Sequence, residues 1–163
     1  MPDTTYDRQA AVAYAHQWAH DRNPRYANFD EMGGDCTNFA SQCLLAGGAP
    51  MNYTPTLGWY YVSLGRRAPA WTGVEFLYRF LTSGRRPGPY GHEAVLQEAQ
   101  AGDILQLSFD GQSFTHSPVI VRVAPGRGLA GIQVAAHTQD TDNRPVLTYP
   151  FVRYRLLHID GVR

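Results

Sequence analysis

The chain has 163 residues, and its fourteen arginines, with no lysine anywhere, balance fourteen acids to a formal charge of zero. That length suits one domain with a substantial core, so the expectation is a single domain over 1–163. No basic field exists to attract nucleic acid or an anionic membrane surface, no run of eighteen apolar residues could cross a bilayer, and two cysteines are too few for a disulfide scaffold.

In chain order, residues 4–22 read as a helix. Thr4 and Asp7 have capping-box spacing, and Ala10, Tyr14 and Trp18 recur every four positions. "RNPRYANFDEMGGD" is a turn-rich loop. A second helix runs from about Cys36 to Leu45 and stops at Gly47-Gly48. Residues 49–70 form an aromatic loop. A third helix follows, with Thr72-x-x-Glu75 as its box and Val74, Leu77, Tyr78 and Leu81 as its apolar face. "HEAVLQEAQ" suits a short helical turn. Beyond Gly102 the pattern changes to strand-like segments: "DILQLSF", "FTHSPVIVRV", "LAGIQVAAH", "VLTYP" and "FVRYRLLHI". Asp110-Gly111 and "PGRG" at 125–128 read as hairpin connections. Helices first and a mostly antiparallel sheet second make an α+β arrangement.

Chemistry concentrates at "GGDCTNFASQCL", residues 33–44. A Cys36–Cys43 disulfide is excluded if the segment is helical, because seven residues rise roughly 10 Å whereas a bridge needs Cα atoms within about 7 Å. His16 and His20 have the i, i+4 spacing of a zinc pair. Gln17 replaces the glutamate base a zinc hydrolase would carry there, so two polar positions on an amphipathic helix are the better reading. Cys43 sits mid-face as core. Cys36 sits at the first turn, with Asp35 as N-cap, where the helix end lowers a thiol's pKa and unpaired N–H groups can hold an oxyanion. By position alone Cys36 is either a buried thiol or a nucleophile.

A nucleophile needs an imidazole. If Val123 pairs with Ala130 across the 125–128 turn, His116 lies opposite His137 and both point to one face; a one-residue slip puts Thr138 there instead. Asp140, Asp142 and Asn143 just beyond could orient an imidazole or simply build a turn. Asn38, Trp59 and Tyr60 are the candidate lining of a peptide cleft, with packing the better role for at least one of the aromatics. His92 and His158 read as structural or exposed.

Together, "YDRQAAVAYAHQWAHDRNPRYANF", "GGDCTNFASQCLLAGG", "WTGVEFLYRFL", "GDILQLSF", "HSPVIV" and "HTQDTDNRP" resemble the putative amidase domain family, grouped with the papain-like cysteine hydrolases that include CHAP amidases and NlpC-type peptidases. The resemblance covers nearly the whole chain. It implies a papain-like or NlpC-like α+β fold, Cys36 as nucleophile, His116 as base, and His137 or Asp140 orienting the imidazole, with the Cys36 N–H at the oxyanion. Pro118 stands where the family is expected to have a small residue. The implied reaction is hydrolysis of an amide in a peptide or other small amide substrate, including cell-wall peptides, with no metal or organic cofactor. The alternatives are acyl transfer or side-chain deamidation through the same thioester, or a binding module that has lost turnover. A monomer is expected. So is a cytoplasmic location, or an exported one if a leader has been removed.

Overall fold

The computed structural model describes residues 3–163. Helix α1 is Arg8–Trp18, α2 Cys36–Ala46, α3 Pro69–Thr72 and α4 Val74–Leu81. Strands β1 (Tyr61–Ser63) and β2 (Arg66–Arg67) form a small ribbon. The main antiparallel sheet comprises β3 (Pro89–Ala94), β4 (Ile104–Ser108), β5 (Val119–Val123), β6 (Ile132–Ala136), β7 (Thr141–Pro145) and β8 (Arg153–Val162), in the order β3-β8-β4-β5-β6-β7. The α+β class and the order of helices before sheet are as expected. Among the described residues no helix is long and apolar enough to cross a membrane.

The helices cover one face of the sheet. Phe39, Cys43, Trp59, Trp71 and Leu77 pack there against Ile104, Val119, Ala135 and Leu157. Short 3-10 turns close the other face, burying Val146 and Tyr149 over Leu105, Leu107, Ile120 and Val134. Strand β4 is therefore buried on both faces along its whole length, Gln106 and Ser108 included.

Several boundaries differ from expectation for local reasons. Asp7, not Thr4, caps α1: its Oδ1 accepts the Ala10 N–H at 3.0 Å, while Thr4 pairs with Val162 as an added sheet bridge. The deeply buried face of α1 is Ala11, Ala15 and Ala19, one residue over from the expected stripe, with Tyr14 and Trp18 packing at its margin. Glu75 does not close a box with Thr72, because Gly73 is the N-cap and Glu75 instead accepts from Arg155 Nη2 at 2.8 Å. "VLTYP" is a 3-10 turn over Val146–Thr148, and β7 is the polar stretch before it, recruited by backbone pairing to β6. The segment Pro89–Ala94 is strand, paired along β8.

Gly91 sits at the β3–β8 bulge, where an added Cβ would lie 2.1 Å from the His158 carbonyl oxygen. Because the obstacle is backbone, Gly91→Ala should cost about 1–3 kcal/mol in urea unfolding. An unchanged midpoint would mean that the two strands separate freely.

Candidate active site

The entry to α2 is built from two glycines in left-handed conformations, Gly33 (φ 98°) and Gly34 (φ 107°), which fold the chain back before the helix. The Asp35 N–H donates to Thr138 Oγ1 at 3.0 Å, tying this turn to the loop after β6. Asp35 occupies the N-cap position, but its carboxylate does not cap the helix. Oδ1 instead accepts from the Phe29 N–H (2.8 Å) and Asn38 Nδ2 (2.9 Å), and Oδ2 lies 2.5 Å from His137 Nδ1.

Cys36 opens α2 and is 6% exposed. Burial pushes its thiol pKa up, against the lowering effects of the Ser117 backbone N–H and of Thr37. Desolvation thus outweighs the helix end, and the sequence-level expectation of a thiol drawn toward neutrality is corrected: at neutral pH Cys36 rests as the thiol. Cys43 is buried and its thiol pKa is pushed up by the same cause. Both cysteines are free.

The contact between α2 and the sheet falls at Ser117. Thr37 Oγ1 donates to Ser117 Oγ at 3.2 Å, Gln106 Nε2 reaches the same oxygen at 3.2 Å, and the Ser117 N–H is directed to the Cys36 sulfur. His116, the preceding residue, is bridged to Leu107 and is 7% exposed. Pro118 is accommodated because β5 begins at the next residue, and its carbonyl accepts from Leu105. The His116 ring lies 5.3 Å from that of Tyr149 and 6.5 Å from that of Phe109. Burial, aided by the positive charge of Arg144, holds its pKa down at about 4, so the imidazole is neutral at pH 7. Tyr149 lies against His116, and burial pushes its hydroxyl pKa up while the nearby Arg144 guanidinium pulls it down. Beside His116 opens a cavity of ≈ 320 Å³.

The expected His116–His137 neighbourhood does not form. The β5–β6 register pairs Val119 with Ala135 and Ile120 with Val134, the slip that sets Thr138 rather than His137 opposite residue 116. A bulge between Ile120 and Arg122 and the 3-10 turn Gly128–Gly131 absorb the difference. His137 turns to the helix side, its Nδ1 on Asp35 and its Nε2 2.7 Å from the Trp18 carbonyl. With both nitrogens engaged, it cannot orient His116. Asp140 is held bidentately by Arg22 at 2.8 and 2.9 Å; burial opposes its ionisation, but the Arg22 hydrogen bonds and charge prevail and keep its pKa low. No described side chain hydrogen-bonds the His116 imidazole, so none of the residues expected from sequence to orient it does so.

None of the expected cleft residues lines the cavity beside His116. Asn38 is buried, bonded to Ala27, Asp35 and Trp71, and Trp59 is fully buried, with its Nε1 donating to Ser41. Tyr60 is half-buried against Tyr53. His16 Nδ1 faces both oxygens of Asp142. In their place the structure brings Arg144, Tyr149 and the 138–139 turn to the cavity. Thr138 and Gln139 both hold positive φ (64° and 58°), an uncommon conformation for such residues. Register arithmetic offered Thr138 as the alternative to His137, whereas Arg144 and Tyr149 are assembled only by the fold.

Residues 5–155 match the family described as "Putative amidase domain". The chain belongs to this family. It is also 32% identical over 162 residues to the protein named "Uncharacterized protein YhbB" of Bacillus subtilis (strain 168), an alignment covering 94% of this chain and 50% of that protein. The chain therefore spans about half the length of that curated relative. No solved structure matches. The family description points to amide hydrolysis in general, and the helix-start cysteine and the sheet histidine lie within the matched span.

Proposed function

We propose that the chain is a single papain-like domain that hydrolyses an amide through Cys36 and His116. The observation that carries this reading is the meeting of Cys36, the first residue of α2, with Ser117, whose neighbour His116 lines a cavity together with Tyr149. His116 is neutral and can accept a proton; Cys36 is protonated and has one to give. As the sulfur attacks the substrate carbonyl, His116 takes the thiol proton, then delivers it to the departing amine. The Cys36 N–H, with no intrahelical acceptor at the first helical position, supports the oxyanion. Water, deprotonated by His116, cleaves the thioester and restores the thiol. Peptides are the favoured substrates, cell-wall peptides among them, on the strength of family kinship alone.

The test is acyl trapping with 4-nitrophenyl acetate, made clean by the absence of lysine. One acetyl group per chain should appear on Cys36, with Cys43 unmodified and the nitrophenol burst lost in Cys36→Ala. Acetylation spread over tyrosines and unaffected by that change would refute the nucleophile. Adding an amine beside water then separates transfer from hydrolysis by the product formed.

A further inference from the structure

The cavity beside His116 is lined by Phe109, His116, Thr138, Gln139, Arg144 and Tyr149, among others, and Arg144 is its cationic member. Among the described residues no carboxylate lies within ion-pair range of Arg144: Asp140 is taken by Arg22 and Asp142 by His16. The guanidinium is nevertheless held firmly. Its Nε donates to Thr148 Oγ1 at 2.7 Å, its Nη2 donates to the Thr148 carbonyl at 3.1 Å, and its plane sits 3.5 Å from the Tyr149 ring centroid. Thr148 Oγ1 in turn donates to the Pro145 carbonyl at 2.7 Å, so the anchor is itself fixed. The guanidinium also approaches the Tyr149 hydroxyl, whose pKa it lowers, but that partner is neutral. A half-buried, oriented arginine with neutral partners and no counter-ion is poised for an anion, and the planar fork matches a carboxylate.

We propose that Arg144 is a specificity residue that binds a carboxylate of the substrate in the cavity beside His116, so that the preferred amides carry a negative charge close to the scissile bond. The proposal rests on the hydrolase reading for its meaning as specificity; the binding event does not. It also has a consequence for the base. The titratable groups set against His116 are Arg144 from β7 and Tyr149 from the turn after it. Of these, Arg144 carries charge at neutral pH and opposes an imidazolium. A carboxylate docked on Arg144 cancels that charge and makes His116 the stronger base once substrate is bound.

The test compares N-acetylglycine with its neutral, near-isosteric amide, N-acetylglycinamide, following the His116 ring protons by NMR at pH 7. The acid should shift these signals with an apparent Kd at least tenfold below that of the amide, and should raise the His116 titration midpoint. Arg144→Gln should abolish the difference, Arg144→Lys should keep part of it, and Arg127→Gln, on an exposed turn, should leave it intact. N-acetylaspartate with its α-carboxyl amidated distinguishes the source: tighter binding than N-acetylglycine assigns a side-chain carboxylate, weaker binding a chain terminus. Equal affinities for acid and amide in the wild-type chain overturn the proposal without any variant, as does an acid preference that survives Arg144→Gln. Acid preference without acylation of Cys36 would refute the hydrolase and leave the carboxylate site standing; acylation without acid preference would do the reverse.

Discussion

Replacing His116 by glutamine should slow acylation of Cys36 by about 10²–10⁴-fold, the range lost with a general base. The loss should be largest near neutral pH, where burial keeps the Cys36 thiol protonated. As pH rises and the thiolate forms unaided, the variant should close on the wild type. A merely structural role for His116 would give a deficit independent of pH. The same substitution should change acid stability. The folded-state pKa of about 4 lies below the ordinary histidine value, so below about pH 6.5 the unfolded chain takes up a proton that the folded chain refuses. Stability due to the neutral imidazole is therefore complete above about pH 6.5 and is lost as pH falls toward 4, by up to about 3 kcal/mol. Urea titrations across that window should show a shallower acid limb for His116→Gln. Parallel limbs would mean that the imidazole is not held neutral by its surroundings.

What the sequence made legible and what it did not divide along a physical line. The N-terminal edge of α2 and its stop at Gly47-Gly48 are local events, set by glycine and by apolar spacing, and they form where expected. Cys43 as core follows from the same spacing. Register is not local. A single bulge near Val121 and a 3-10 turn after Arg127 moved the β5–β6 pairing by one residue, and that slip alone sent His137 from the expected site to the Asp35 carboxylate. Burial is equally non-local. The helix end that should favour a thiolate at Cys36 is real, but nothing in "GGDCTNF" reveals that the folded chain would leave residue 36 almost dry. Strand β7 was hidden for a related reason: "TDNRP" has turn chemistry and exposed side chains, and only backbone pairing with β6 makes it a strand. Arg144 arrives at the cavity by that same pairing.

The Asp35 carboxylate gathers what the slip brought together, and its removal should be the most damaging single change to the fold. Asp35→Ala would strand the Phe29 N–H, Asn38 Nδ2 and, at 3.4 Å, Arg22 Nε, which has no hydrogen-bond partner of its own, and would break the His137 Nδ1 contact. The carboxylate is fully buried, so water cannot replace it without opening the loop. Breaking a buried, multiply bonded charge costs about 3–5 kcal/mol, which for a chain of this size is a fall in Tm of roughly 6–20 °C. The damage should also reach the site, because the 29–35 turn fixes where α2 begins and so where the Cys36 sulfur meets Ser117. A double-mutant cycle separates the parts. If His137 is held mainly by Asp35, then His137→Ala should cost much less in the Asp35→Ala background than in the wild type, a coupling of about 1–3 kcal/mol. Additive losses would instead assign His137 to its Trp18 bond and its packing on Phe39, whose ring lies 4.2 Å away. Arg22→Gln adds a third arm: it removes the cation while leaving the other three bonds to Asp35, and a loss small beside that of Asp35→Ala would place the energy in those hydrogen bonds rather than in the ion pair.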